Sequence, residues 1–160
     1  MKTTFLVVVL LGLFGLTGFI KESQNYEQIT FDYFVSDVLG SDFENIRSFE
    51  FKGKTEESYS TLGTYDFCLK PAGKLGSIIN DVTKRSKGDA REINYKNVNG
   101  LTIRDFGSEG RNSRLFIYPS VHVADKYYVF LLFQMPEELP VKYVFELTPD
   151  GNISRSCRMN

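Results

Sequence analysis

Apolar residues recur at helical spacing in the first part of this chain and at strand spacing in the second. In NYEQITFDYFVSDVLG, residues 25–40, Phe31, Phe34, Val35 and Val38 fall at i, i+3, i+4 and i+7. That is one apolar helix face, and Gly40 suits the left-handed position that ends a helix. IRSFEFKGK, 46–54, alternates instead. Phe49 and Phe51 point one way and Ser48, Glu50 and Lys52 the other, which predicts a strand with one wet face. Residues 64–69 read as a short strand broken by Pro71, which can open a second helix. That helix carries Leu75, Ile78, Ile79 and Val82 at helical spacing. Lys84, Arg85 and Lys87 stand at its negative pole and Gly88 closes it.

From Arg91 onward the period is two. REINYKNVNGLTIRDF predicts a hairpin; a three-residue loop, Val98 to Gly100, aligns Ile93, Tyr95, Leu101 and Ile103 and buries more than the two-residue Asn99-Gly100 alternative. GSEGRNS, 107–113, is a loop. RLFIYPSVHV is a strand in which Pro119 marks an edge or a bulge. A run apolar on both sides follows from Tyr127, then the loop MPEELP, then VKYVFEL with Val141, Tyr143, Phe145 and Leu147 on one face. TPDGN is a tight turn, and ISRSC makes a last strand with Ile153 and Cys157 on the same side. The expected fold is α+β, two helices packed on a curved, mostly antiparallel sheet of about six strands. Helices followed by a long meander that curls into a cone resemble, in architecture alone, nuclear-transport-factor-2-like and cystatin-like domains; no motif carries the likeness to a family or a function.

Residues 1–22 stand apart. MKTTFLVVVLLGLFGLTGFI has one charge, Lys2, ahead of an uncharged stretch from Thr3 to Ile20. This is the layout of a secretory signal. As a helix, Phe5 to Ile20 would span roughly 24 Å, against a hydrocarbon core about 30 Å thick. The expectation is a cleaved leader and a secreted or periplasmic domain over 23–160, with an uncleaved N-terminal anchor as the alternative and the only route to a membrane. Charge is near balance, 19 Lys and Arg against 20 Asp and Glu, which gives no ground for a nucleic-acid partner. The two cysteines, Cys68 and Cys157, in an exported chain point to a disulfide. Closing so long a loop is worth roughly 4 to 5 kcal/mol in the entropic model. Two buried free thiols are the alternative.

Candidate chemistry is sparse. The only histidine, His122, lies in SVHVADKYYVFLLF. With Asp125 and Lys126 as a two-residue loop, His122 faces Val129, Ser120 faces Leu131 and Tyr118 faces Phe133. One face then carries Phe116, Tyr118, His122, Leu131 and Phe133. A strand apolar on both sides needs a second cover beyond the helices: a second layer, a curled part of the same sheet or another protein chain. This predicts a contact face for a protein partner, a homodimer included, or for an apolar small molecule. The resulting expectation is an exported non-enzymatic binding domain without cofactor, metal site or catalytic residue. The alternatives are a small cone-pocket enzyme with His122 as acid or base and a structural envelope protein. Arg104, Asp105, Glu109, Arg111 and Arg114 gather around two glycines in 103–114; the arginines there could hold an anion or simply lie solvated in a hairpin loop. Asn152-Ile153-Ser154 fits the N-glycosylation pattern, but its Asn is already explained by the turn.

Overall fold

The computed structural model describes residues 24–58, 69, 89–95, 98, 100–107 and 111–159. The predicted leader, the second predicted helix, Cys68 and all of the predicted 64–69 strand but Leu69 lie outside them. The fold is α+β; among the described residues one short helix lies on a mixed sheet of seven strands.

The helix, α1, is α-helical over Tyr26–Tyr33, π-helical over Phe34–Val38 and α-helical again over Leu39–Asp42. Asn25 caps it, its side-chain oxygen accepting from the Gln28 N–H. Gly40 does not end it, contrary to the expectation. The π segment is the reason: the Leu39 N–H reaches back five residues to the Phe34 carbonyl. The extra residue in the turn moves Val38 to the margin of the core and brings Leu39 and then Phe43 into it, so the buried stripe continues past the glycine.

The strands are β1 (Ser48–Glu50), β2 (Thr102–Arg104), β3 (Arg114–Ile117), β4 (Val121–Val123), β5 (Lys126–Gln134), β6 (Val141–Leu147) and β7 (Ile153–Met159). Their order is β2-β1-β3-β5-β6-β7, with β4 also paired to β5. From β3 to β7 the pairing is antiparallel, as expected. At the other end it is not: β1 lies parallel to both β2 and β3. The hairpin predicted over 91–106 does not form. Its two arms instead flank the 48–55 segment, Thr102–Arg104 beside Ser48–Glu50 and Glu92 bridged to Lys54. Ile93, Tyr95, Leu101 and Ile103 still reach one cluster, because burial and not hairpin pairing sets their facing.

The predicted register at β5 also shifts. His122 faces Tyr127, not Val129, and Phe116 faces Leu132. The turn is Ala124-Asp125, with Ala124 at φ 56°. Tyr118 donates its N–H to the Phe130 carbonyl, while Val121 pairs with Tyr128. Two residues, Pro119 and Ser120, therefore oppose Val129 alone, which is a β-bulge. A one-residue slip turns every later side chain to the other face. Proline has no N–H to orphan, and the Ser120 N–H is accepted by the Glu27 carboxylate at 2.6 Å, so the bulge leaves no buried donor unmet. A second irregularity, at Glu146/Leu147, separates Ile153 from Cys157, which were expected on one side; Ile153 packs on the helix-side cluster and Cys157 on the opposite one.

β5 is buried from Tyr128 to Phe133. One face packs Val129, Leu131 and Phe133 with Phe31, Phe34, Leu39 and Phe43 of α1 and its end, and with Phe49, Tyr143 and Phe145. Phe133 is the hub, its ring centroid 5.7 Å from Phe34, 4.9 Å from Phe43 and 6.1 Å from Phe49. The other face packs Tyr128, Phe130 and Leu132 with Leu69, Tyr118, Val121, Val123 and Val144. Both covers come from the same chain.

Candidate functional site

The five predicted contact residues do not share a face. Leu131 and Phe133 lie in the helix-side core at 0% exposure. Tyr118, also at 0%, is in the opposite cluster, with Phe116 half-buried at its margin. His122 alone is exposed. The bulge at Pro119-Ser120 accounts for the split, since it reverses the facing between β3 and β4.

His122 is the outer ring of a stack. Its imidazole lies on Tyr127 with centroids 4.5 Å apart and planes at 22°. Tyr127 lies in turn on Tyr26 of α1, at 3.8 Å and 16°. The Tyr26 hydroxyl donates to the Pro149 carbonyl at 3.0 Å, which anchors the inner ring to the β6–β7 turn. Burial first, and Tyr127 beside it second, raise the Tyr26 pKa. Among the described residues His122 has no hydrogen-bond or ion-pair partner. An acid or base of this kind is ordinarily oriented by a second group, and none stands beside His122 among the described residues.

The buried acids are each neutralised locally. Glu27, at 0% exposure, accepts from Ser120 and from the Arg91 guanidinium at 3.1 Å. Glu50 accepts from Asn112 at 2.7 Å and from Arg114 Nε at 2.9 Å. The Asn112 bond first and the Arg114 bond second hold its carboxyl below the usual range. Burial pushes Glu146 up, but the hydrogen bonds of Arg155, Ser154 and Tyr128 outweigh it and its carboxyl is also held low. At the helix end, Asp42 accepts from the Tyr143 hydroxyl at 2.6 Å and pairs with Arg158 at 3.5 Å. A catalytic acid or base instead needs a pKa brought toward the working pH.

The arginine loop is tied down as well. Arg114 bonds Glu50 and the Gly107 carbonyl at 2.8 Å. Its guanidinium and the Lys52 ammonium flank the Phe106 ring at 5.2 and 5.1 Å. Arg104 and Arg111 are exposed; Glu109 lies outside the described residues. An open depression of about 340 Å³ is lined by Gln28, Asp32, Asn94 and Val98. The Gln28 amide is already paired with the Asn94 backbone, at 2.9 and 2.7 Å, and with the Asp32 carboxylate at 2.9 Å. Among the described residues no group of His, Cys, Asp and Glu could hold a metal ion, and no helix is long and apolar enough to cross a membrane.

Sequence reasoning missed Glu27, Glu50 and Glu146 as buried groups. Only the spacing of arginines could have found them, and their arginine partners lie as far as 64 residues away. No protein family, curated protein or solved structure matches this chain.

Proposed function

We propose that this chain is an exported, non-enzymatic domain that binds a protein partner or an apolar ligand. The contact is at the free rim of the aromatic sheet, on His122 and Tyr127, not across its buried centre. The observation that carries this is the ring stack: an exposed imidazole held flat on a half-buried tyrosine, with no polar partner among the described residues. A planar surface fixed from beneath by Tyr26 loses little freedom when another apolar surface or ring is laid on it. Against the enzyme alternative stand the lack, among the described residues, of a carboxylate paired with His122 and the pairing of every buried acid described. Export rests on the apolar leader of residues 1–22.

A Cys68–Cys157 disulfide belongs to this proposal. Among the described residues no cysteine is free. Leu69, next to Cys68 in the chain, is buried in the cluster that Cys157 borders, which supports the bridge and suits an oxidising compartment.

The test is made on protein recovered from the exported fraction. Light scattering is expected to give a dimer mass, or native mass spectrometry a retained partner or hydrophobic molecule. The double variant His122→Ala/Tyr127→Ala is expected to lose either one. A ligand-free monomer, or a complex indifferent to both changes, rejects the rim as the contact.

A further inference from the structure

At the far end of β5 from His122, the β5–β6 connection carries a feature the core does not explain. Leu139 is 88% exposed, the only large hydrophobic residue so displayed among the described residues. Pro136, Glu137 and Glu138 beside it are exposed too, and neither carboxylate has a hydrogen-bond or ion-pair partner among the described residues. The Glu138 N–H reaches back to the Met135 carbonyl at 3.5 Å. This makes a turn with Pro136 at its second position and Glu137, at φ 62°, at its third. Positive φ at the third position is the type II arrangement, where glycine or asparagine is the usual residue. A glutamate there is strained, so folding alone would favour another side chain. Pro140 follows Leu139 and confines it to extended backbone. The tip is thus stiffened on both sides of an exposed leucine that carries two unpaired negative charges ahead of it.

We propose that the Pro136–Pro140 tip is a protein-docking plug. Leu139 enters an apolar socket on a partner protein, and Glu137 and Glu138 meet lysines or arginines on the socket's rim. This site is separate from His122 and stands whether or not the rim stack binds anything. The stiff loop keeps the ordering cost of docking low, and the paired acids give charge complementarity and orientation. A lone exposed leucine is ordinary on a protein surface. What sets this one apart is the strained glutamate and the proline clamp.

The experiment uses the full chain in its own host, with a diazirine-bearing leucine analogue placed at position 139 or, as a control, at exposed position 104 on the edge strand β2, away from both the tip and the His122 rim. Illumination is expected to give one discrete protein adduct from position 139 and none from 104, abolished by Glu137→Lys/Glu138→Lys. The captured protein, identified by mass spectrometry and expressed alone, is then titrated with wild-type chain, with Leu139→Ala and with Glu137→Gly. Leu139→Ala is expected to weaken binding by about tenfold or more. Glu137→Gly is the informative variant: it relieves the strained turn, so it should melt no lower than wild type while binding more weakly. A merely structural glutamate would not separate the two. No adduct at 139, equal adducts at 139 and 104, or binding indifferent to Leu139→Ala and to charge reversal overturns the plug. A complex that survives these changes but is lost with His122→Ala/Tyr127→Ala overturns the plug alone and leaves the rim proposal standing.

Discussion

The two faces of β5 solve the same problem differently. Alternate residues of one strand must be kept from water on both sides. On the helix side the solution is aromatic: Phe133 meets three phenyl rings from α1, its end and β1. On the other side it is mixed. Tyr118, Tyr128, Phe130 and Val144 pack with Leu69, and the cluster grades at its border into the Glu146–Arg155–Tyr128 network and the half-buried Phe116, Cys157 and Met159. The first face is closed by an amphipathic helix made for the purpose. The second is closed by a distant piece of the same chain and by a buried charge matched with its arginine. A face of the second kind is more exposed to loss when a single tie is cut.

The comparison is tested hardest by removing its hub. Phe133→Ala is expected to cost about 3 to 5 kcal/mol in urea unfolding, since the three rings around it cannot close on the void; a loss under ~1 kcal/mol would mean that this face is loosely packed. Next is the second cover. Leu69→Ala is expected to cost about 2 to 3 kcal/mol, and reduction of the exported protein to lower the melting temperature by an amount equivalent to ~2–4 kcal/mol. A neutral Leu69→Ala would show that Leu69 does not close the face, and an unchanged melt under reductant would mean that no bridge contributes.

How far the sequence carried this picture depends on how local each feature is. The β6–β7 hairpin was legible because Pro149 and Gly151 dictate their turn. Gly151 sits at φ 82°, and a Cβ there would come within 2.8 Å of the Ile29 Cδ1. The alternation of Val141, Tyr143, Phe145 and Leu147 likewise read directly as one buried face. The parallel insertion of β1 was not legible, because Ser48–Glu50 takes partners more than fifty residues away and alternation does not name a partner. The bulge at Pro119-Ser120 was half legible: the proline marked it, but its effect on facing requires the register on both sides. That one residue undid the expected site, dividing Phe116 and Tyr118 from His122. The acids were illegible for another reason. Glu50 and Glu146 occupy positions that a two-fold pattern assigns to solvent, and they are buried only because arginines from elsewhere come with them.

A smaller effect separates the faces by pH. The Tyr128 hydroxyl, donating to Glu146 at 3.2 Å, is pushed up to about 12 by burial first and by the Glu146 charge second. An unfolded tyrosine titrates near ~10, so the unfolded chain gives up this proton first. The stability Tyr128 contributes is complete below about pH 10 and is lost as pH climbs toward about 12. Urea titrations at several alkaline pH values should show that decline, on the order of 2 kcal/mol for a shift of this size. Tyr128→Phe should flatten it. Tyr143, raised by burial and by Asp42 on the opposite face, leaves a residual slope in that variant. A variant with the wild-type slope would assign the whole alkaline transition to the helix side.

The smallest stability effect is expected at His122, and its smallness is informative. An exposed ring without hydrogen bonds contributes only its stacking on Tyr127, so His122→Ala should change the unfolding free energy by less than ~0.5 kcal/mol. Tyr127→Ala removes the half-buried middle ring, whose stack on Tyr26 is tighter, and should cost about 1 to 2 kcal/mol through lost packing and ring contact. The pair therefore separates two roles within one stack. If Tyr127 supports and His122 presents, stability falls only with the tyrosine, while binding at the rim falls with either. A His122→Ala variant that loses more than ~1.5 kcal/mol would make the imidazole a structural lid on Tyr127, and the rim would then have no side chain left over for a partner.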